Sequence, residues 1–335
     1  MKKYVNLFVF VFMIGACLSQ GRAQTKSAVS YKNPVVDIAL TGPTVIKAAD
    51  GYFYVYATES TRNVPIMKSK DLVEWTYCNT AFTNKTRPRF EPKAGIWAPD
   101  INYINGKYVL YYAMSVWGGE QTCGIGVATA NSPQGPFTDH GKMFRSNEIG
   151  VQNSIDPSLL QYEGRNYLVW GSFRGIYVIE LTADGLSIMP GAKKKRIAGT
   201  AFEAVYIHKH DDYYYMFASI GSCCQGVKST YKVVVGRSKK VWGPYKDKTG
   251  KPMLKNGYSL VIGANDHFVG NGHGSQIIRD DAGQDWLLYH GFSRSTPENG
   301  RILLLDQIKW NQEGWPYVEG GSPSYETQKA PVFNN

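Results

Sequence analysis

The chain has 335 residues, 43% hydrophobic and 13% aromatic, and 37 basic against 27 acidic side chains give it a formal net charge of +10. Five cysteines in a chain this long exclude a small fold held together by disulfides. Lys2, Lys3 and Arg22 lie in the first 23 residues, which leaves about +7 for the remainder; one dense basic run and no binding motif argue against nucleic acid as a partner.

Met1-Lys2-Lys3 is a basic start, and Val5 to Ala16 is an apolar run too short to span a bilayer, so the chain opens with an export signal. Two endings compete. Ile14-Gly15-Ala16-Cys17 would place a lipid on Cys17, whereas Gly21-Arg22-Ala23 before Gln24 has the small residues of an ordinary cleavage site. The short polar stretch after Ala23 favours the second, a signal peptide over residues 1–23, with a lipoprotein signal ending before Cys17 as the alternative. Either way the expected product is an exported monomer, periplasmic, cell-surface or secreted, whose only membrane contact would be that lipid.

Residues 30–325 read as one domain of five repeats. In each, an apolar run is followed by a tight turn and a second apolar or aromatic run. Gly42-Pro43-Thr44-Val45-Ile46 precedes Asp50-Gly51 and Tyr52 to Tyr56; Ala98-Pro99-Asp100-Ile101 precedes Asn105-Gly106 and Tyr108 to Tyr111. Asp156-Pro157, Glu203-Ala204 and His273-Gly274 open the other three in the same way. Spacings of roughly 45–70 residues leave room for about four short strands each, the size of a propeller blade. The expected fold is therefore all-β, a five-bladed β-propeller. The first strand of a blade lines the central channel, so Gly42, Ala98, Asp156, Glu203 and His273 should form a ring at one mouth. Trp97 should hang over that mouth. The basic run Lys193 to Arg196 reads as an outer loop between blades, and Cys223-Cys224, which lacks the CxxC spacing of metal or redox sites, as a special loop feature.

Two carboxylates, an imidazole and a rim indole point to glycoside hydrolysis. Indole faces stack on sugar rings, and inversion at an anomeric carbon requires one carboxylic acid to protonate the leaving oxygen and one carboxylate to activate water. A neighbouring carboxylate can raise the acid's pKa.

The runs Asn153-Ser154-Ile155-Asp156-Pro157, Gly171-Ser172-Phe173, Phe202-Glu203-Ala204, Gly221-Ser222-Cys223-Cys224, Val235-Gly236-Arg237-Ser238 and Gly272-His273-Gly274 together resemble glycoside hydrolase family 43, closest to its arabinanase-like branch. The resemblance covers essentially all of the chain after the signal. It implies a five-bladed propeller of inverting enzymes with plant cell-wall arabinan or arabino-oligosaccharides as substrate. It also implies Glu203 as general acid, Asp156 as the carboxylate that tunes it, and Ser172, Phe173 and Arg301 lining the substrate site, to which Asn153, in the same run as Asp156, and the rim residue Trp97 are expected to add substrate contacts. His273 matches a histidine beside a channel metal, usually calcium, although one imidazole alone is a poor calcium site. One position departs from the family. Its general base is an aspartate before proline at the start of the first blade, and this chain has Gly42-Pro43 there; Asp37, upstream, should lie before the channel strand. The expectation is an arabinan-cleaving hydrolase with an impaired base side. The alternatives are an arabinofuranosidase or β-xylosidase of the same family, or an arabinan-binding propeller.

Overall fold

Strands with apolar side chains on both faces need a neighbour on each side, and that requirement shapes this molecule. Along the second strand of blade 2, Val109 and Tyr111 pack toward one neighbouring blade and Leu110 and Tyr112 toward the other, all fully buried. The computed structural model describes residue 1 and residues 29–334, so the signal predicted over 1–23 and its Cys17 alternative, Met1 aside, lie outside the described residues.

Five antiparallel sheets form the blades, as predicted, and a sixth, two-stranded one joins the two ends of the propeller. Blade 1 holds Thr44–Lys47, Phe53–Tyr56, Pro65–Ser69 and Thr76–Thr80; blade 2 holds Gly95–Ile104, Lys107–Ser115, Gly124–Ala130 and Thr138–Arg145. Blade 3 holds Ser158–Tyr162, Arg165–Trp170, Ile176–Glu180 and Lys195–Ala198, and blade 4 holds Glu203–His210, Tyr213–Ile220, Lys232–Ser238 and Ser259–Ile262. In blade 5, Phe268–Gly272, Asp285–Ser293, Arg301–Trp310 and Pro316–Tyr317 follow one another, and Ile278–Arg279 also pairs with Asp285–Ser293. The inner edge of this blade is thus two short strands, interrupted where His273 sits. The basic run corrects one expectation: Lys195 and Arg196 belong to the outer strand of blade 3 rather than to a loop, with their side chains exposed.

A separate apolar core fills each seam between blades. The seam between blades 5 and 1 is built from Val45, Phe53, Val55, Trp286, Leu288, Leu303 and Leu305, and both ends of the propeller chain contribute to it through Tyr31 and Phe333. Ser30–Tyr31 pairs with Gln328–Lys329. Asn33 completes the closure, its amide nitrogen donating to the Leu305 carbonyl at 2.9 Å and to Asp306 Oδ2 at 3.2 Å while its oxygen accepts the Leu305 N–H at 2.9 Å.

On the axis, buried Asp100 ties blades together. Its carboxylate accepts from the Leu159 N–H of blade 3 at 2.7 Å and from Gln276 Nε2 of blade 5 at 2.9 Å. Gln276 Oε1 in turn accepts from Thr44 Oγ1 and the Val45 N–H of blade 1. Burial pushes the Asp100 carboxyl up to about 7 in spite of these donors.

Asn33→Ala leaves the Leu305 peptide group without its buried partner, at a cost on the order of 3 kcal/mol. Denaturant unfolding measures it, and a change below about 1 kcal/mol would remove Asn33 from the closure.

Candidate active site

Each blade opens with a corner whose backbone turns through the left-handed region. The corner residues are Gly42 (φ 57°), Ala98 (42°), Asp156 (54°), Ala204 (50°) and His273 (52°). Four of the five predicted ring residues are therefore in place. The fourth blade departs from the prediction, because its corner is Ala204 and Glu203 stands one residue before it. The inner strand of that blade has a register shift between Glu203 and Tyr206, and blade 2 has one between Trp97 and Asp100. In this blade Glu203 lines the cleft, while the corner residue Ala204 lines the narrow channel below it.

Above these corners opens a cleft of about 770 Å³, lined among others by Trp97, Asn153, Asp156, Ser172, Phe173, Glu203, His273 and Arg301. Every site residue picked out in the sequence lies on this one cleft, together with Ala98 of the ring. Gly42 borders it from the backbone side, its N–H donating at 3.0 Å to Nδ1 of the cleft-lining His290. Asp37 is exposed, away from the cleft, and accepts from Asn299.

Glu203 and Asp156 are both buried. Ser172 Oγ donates to Glu203 Oε2 at 2.6 Å and is itself held by Asn153 Nδ2 at 2.9 Å, while Asp156 Oδ2 accepts the Ala204 N–H at 3.1 Å. The peptide that follows Glu203 is thus tethered to Asp156. Burial raises the pKa of both carboxyls, and the charge of Glu203 raises Asp156 further. Repulsion between two carboxylates is mutual, so the pair favours holding a proton between them. Ser172, Tyr231 and the Arg301 guanidinium pull Glu203 the other way.

The remaining cleft carboxylates are engaged. Arg87 grips Glu59 with both nitrogens at 2.7 and 2.8 Å and, against the upward push of burial, holds its pKa below the usual range together with nearby backbone N–H groups. Arg174 grips Glu120 at 2.9 and 3.0 Å. Trp97 lies over Gly95, where an added Cβ would come within 2.5 Å of the indole nitrogen, and it meets the exposed Trp117 across 6.2 Å between ring centroids. The two indoles form an apolar rim.

His273 borders both the cleft and the narrow channel below it. Burial, with help from Arg301, pushes its pKa down to about 3, so the ring is neutral. Calcium takes six to eight oxygens. Among the described residues His273 gathers with no pair of further His, Cys, Asp or Glu side chains within metal-binding reach. A calcium ion beside His273, as the resemblance implies, would take most of its ligands from water, and no catalytic step is drawn through a metal.

Further residues line the cleft, among them the Cys223-Cys224 pair read from the sequence as a special loop feature. Cys223 and Cys224 are joined in a vicinal disulfide on the cleft wall, with Arg301 donating toward Cys224 Sγ at 3.5 Å. His290 is fully buried, stacks on Tyr231, and has no hydrogen-bond partner at Nε2. With Nδ1 accepting from Gly42, the proton belongs on Nε2. His290 lies in a strand that reads as plain core, Tyr231 stands just before the strand Lys232–Ser238 in a run that matched the family without a role being assigned to it, and the Glu59–Arg87 pair spans 28 residues.

A carboxyl pair disposed to hold a proton, set in an aromatic-rimmed cleft at a propeller mouth, is the apparatus of a glycosidic-bond hydrolase. The chain belongs to glycosyl hydrolases family 43, whose profile matches residues 31–316. It is 36% identical over 292 residues to the extracellular endo-alpha-(1->5)-L-arabinanase 1 of Bacillus subtilis (strain 168), covering 83% of this chain and 87% of that one. It is 35% identical over 306 residues to the extracellular exo-alpha-(1->5)-L-arabinofuranosidase of Cellvibrio japonicus (strain Ueda107), covering 83% and 85%. The structure of Cellvibrio cellulosa alpha-L-arabinanase complexed with arabinohexaose matches with a TM-score of 0.77 at 32% identity, over 85% of this chain and 96% of that one.

The two neighbours of Glu203 move its pKa in opposite directions. Ser172→Ala removes a donor that favours the carboxylate and should raise the midpoint; Asp156→Asn removes a negative neighbour and should lower it. A carbon-13 titration of the Glu203 carboxyl measures both, and a shared direction would contradict the arrangement.

Proposed function

We propose that this protein hydrolyses α-1,5-linked L-arabinan or arabino-oligosaccharides outside the cytoplasm, with inversion and with Glu203 as general acid. The observation that carries the reading is the buried Glu203–Asp156 pair held at the propeller mouth by Ser172 and the Ala204 N–H. The substrate and the extracellular setting are supported by the names of the relatives, an arabinanase and an arabinofuranosidase both called extracellular.

In this reading Glu203 is protonated in the resting protein and donates to the leaving oxygen. The groups that pull its pKa down, Ser172, Tyr231 and Arg301, stabilise the carboxylate left behind. Asp156 keeps the proton on Glu203 until then by repulsion and orients it through the Ala204 peptide. Trp97 and Trp117 offer apolar faces to the sugar, and Asn153 and Phe173 complete the wall. Water attacks from the opposite face, toward Gly42.

Gly42 supplies no base. A Cβ added there would meet Thr58 Oγ1 at 3.2 Å and the His273 ring at 3.3 Å, and the other carboxyl side chains lining the cleft, Glu59 and Glu120, sit in arginine forks. Loss of a general base lowers a rate by about 10²–10⁴-fold, so the expected enzyme is slow. An aspartate fits this corner: Asp156 adopts nearly the same backbone angle in blade 3, and Thr58 and His273 need give only a few tenths of an ångström.

Release of reducing sugar from linear arabinan tests the reading. The wild type should act slowly, Gly42→Asp should be faster by on the order of 10²-fold or more, and Glu203→Gln should be inactive while still binding. Gly42 also favours a second reading, an arabinan-binding propeller. Saturable binding by the wild type with no product at stoichiometric protein would establish that reading in place of the hydrolase. Unchanged turnover in Glu203→Gln would remove Glu203 from the mechanism.

A further inference from the structure

At the far end of the strand that begins with Glu203, two histidines and a buried aspartate come together. Strand Glu203–His210 carries His208 and His210 two residues apart and so on one face, and Asp285 opens the second strand of blade 5. One ligand atom from each lies within 4.8 Å of the others. Seven residues of strand separate His210 from Glu203, about 23 Å, and none of the three lines the cleft.

We propose that His208, His210 and Asp285 form a binding site for a divalent transition ion of the zinc class, linking blade 4 to blade 5. Two imidazoles and a carboxylate are a donor set that zinc takes, with water as a fourth ligand. The surrounding contacts prepare these donors. Trp310 Nε1 donates to Asp285 Oδ2 at 2.8 Å, which leaves Oδ1, buried and without a hydrogen bond, as the free ligand atom. His210 Nδ1 is 3.8 Å from Asp285 Oδ2, and on the other side of the ring Nε2 is 3.4 Å from Asp211 Oδ2. A carboxylate on the outer nitrogen orients a ligating imidazole and fixes its tautomer. The His210 ring also stacks on Trp310, with centroids 3.6 Å apart and planes 6° apart, which limits its rotation.

Ligands at about 2.0–2.1 Å from zinc lie roughly 3.4 Å from one another, so side chains whose ligand atoms lie within 4.8 Å need to close by up to about 1.4 Å. Arg279 is the competing cation, its NH1 3.7 Å from Asp285 Oδ1 without hydrogen-bond geometry. That side chain is 63% exposed and can swing into solvent.

The test is equilibrium dialysis of the purified protein against zinc, with bound metal counted by elemental analysis, for the wild type, His210→Ala, His208→Gln and His273→Ala. The proposal requires one equivalent in the wild type and in His273→Ala, and its loss in both other variants; His208→Gln keeps the test decisive should His210→Ala not fold. Thermal unfolding should agree, with zinc at a hundredfold above its Kd raising the wild-type Tm by on the order of 5 °C and leaving His208→Gln unchanged. Absence of an equivalent in the wild type, retention in His208→Gln, or loss in His273→Ala would each overturn the site, the last by placing the ion in the cleft.

Discussion

The left-handed corner at the start of each blade is the constraint from which the site follows. Away from glycine, such a conformation costs roughly 1–2 kcal/mol, and four of the five corners are Ala98, Asp156, Ala204 and His273. The surrounding structure holds them there. Below the corners, Asp100 and Gln276 connect blades 1, 2, 3 and 5 through buried hydrogen bonds. On the outside, five apolar seams press the blades together, and the first and last segments of the propeller chain close the ring. A turn at each corner brings residues from blades far apart in sequence to one mouth.

The same constraint separates the roles of neighbouring residues. Asp156 occupies a corner and accepts the N–H of Ala204, the corner residue of the next blade. Glu203, one residue before a corner, reaches the cleft. The electrostatics around them is close to balanced: His273 and His290 are held neutral by burial, Glu59 and Glu120 are matched by Arg87 and Arg174, and Arg301 is the cation that faces Glu203.

The blades were legible in the sequence because a strand buried on both faces next to a Gly or Asn turn leaves a local pattern, and Asp50-Gly51 and Asn105-Gly106 mark two of those turns. Asp156, Glu203 and His273 were legible at the openings of the repeats, with Trp97 beside one of them, whereas Ser172, Phe173 and Arg301, which lie deeper in their blades, came only from the family resemblance. The one-residue offset at Glu203 was not, because a bulge changes register without changing residue type. Contacts over long separations left no signal either: Asn33 finds Leu305 across 272 residues, and Gln276 finds Asp100 across 176. The interruption of blade 5 at His273 also went unread, since Gly272-His273-Gly274 fits a strand end as well as a break within one.

The central claim is that Glu203 is the group that meets the scissile oxygen, with Gly42 beneath the opposite face of the sugar. A crystal structure of the Glu203→Gln protein with an arabino-oligosaccharide tests it most directly. The account predicts a glycosidic oxygen within about 3.2 Å of the residue 203 side chain, a sugar ring against Trp97, and the anomeric carbon exposed toward Gly42. An oligosaccharide bound in the cleft with every glycosidic oxygen out of reach of residue 203, or bound on another face of the propeller, would contradict it.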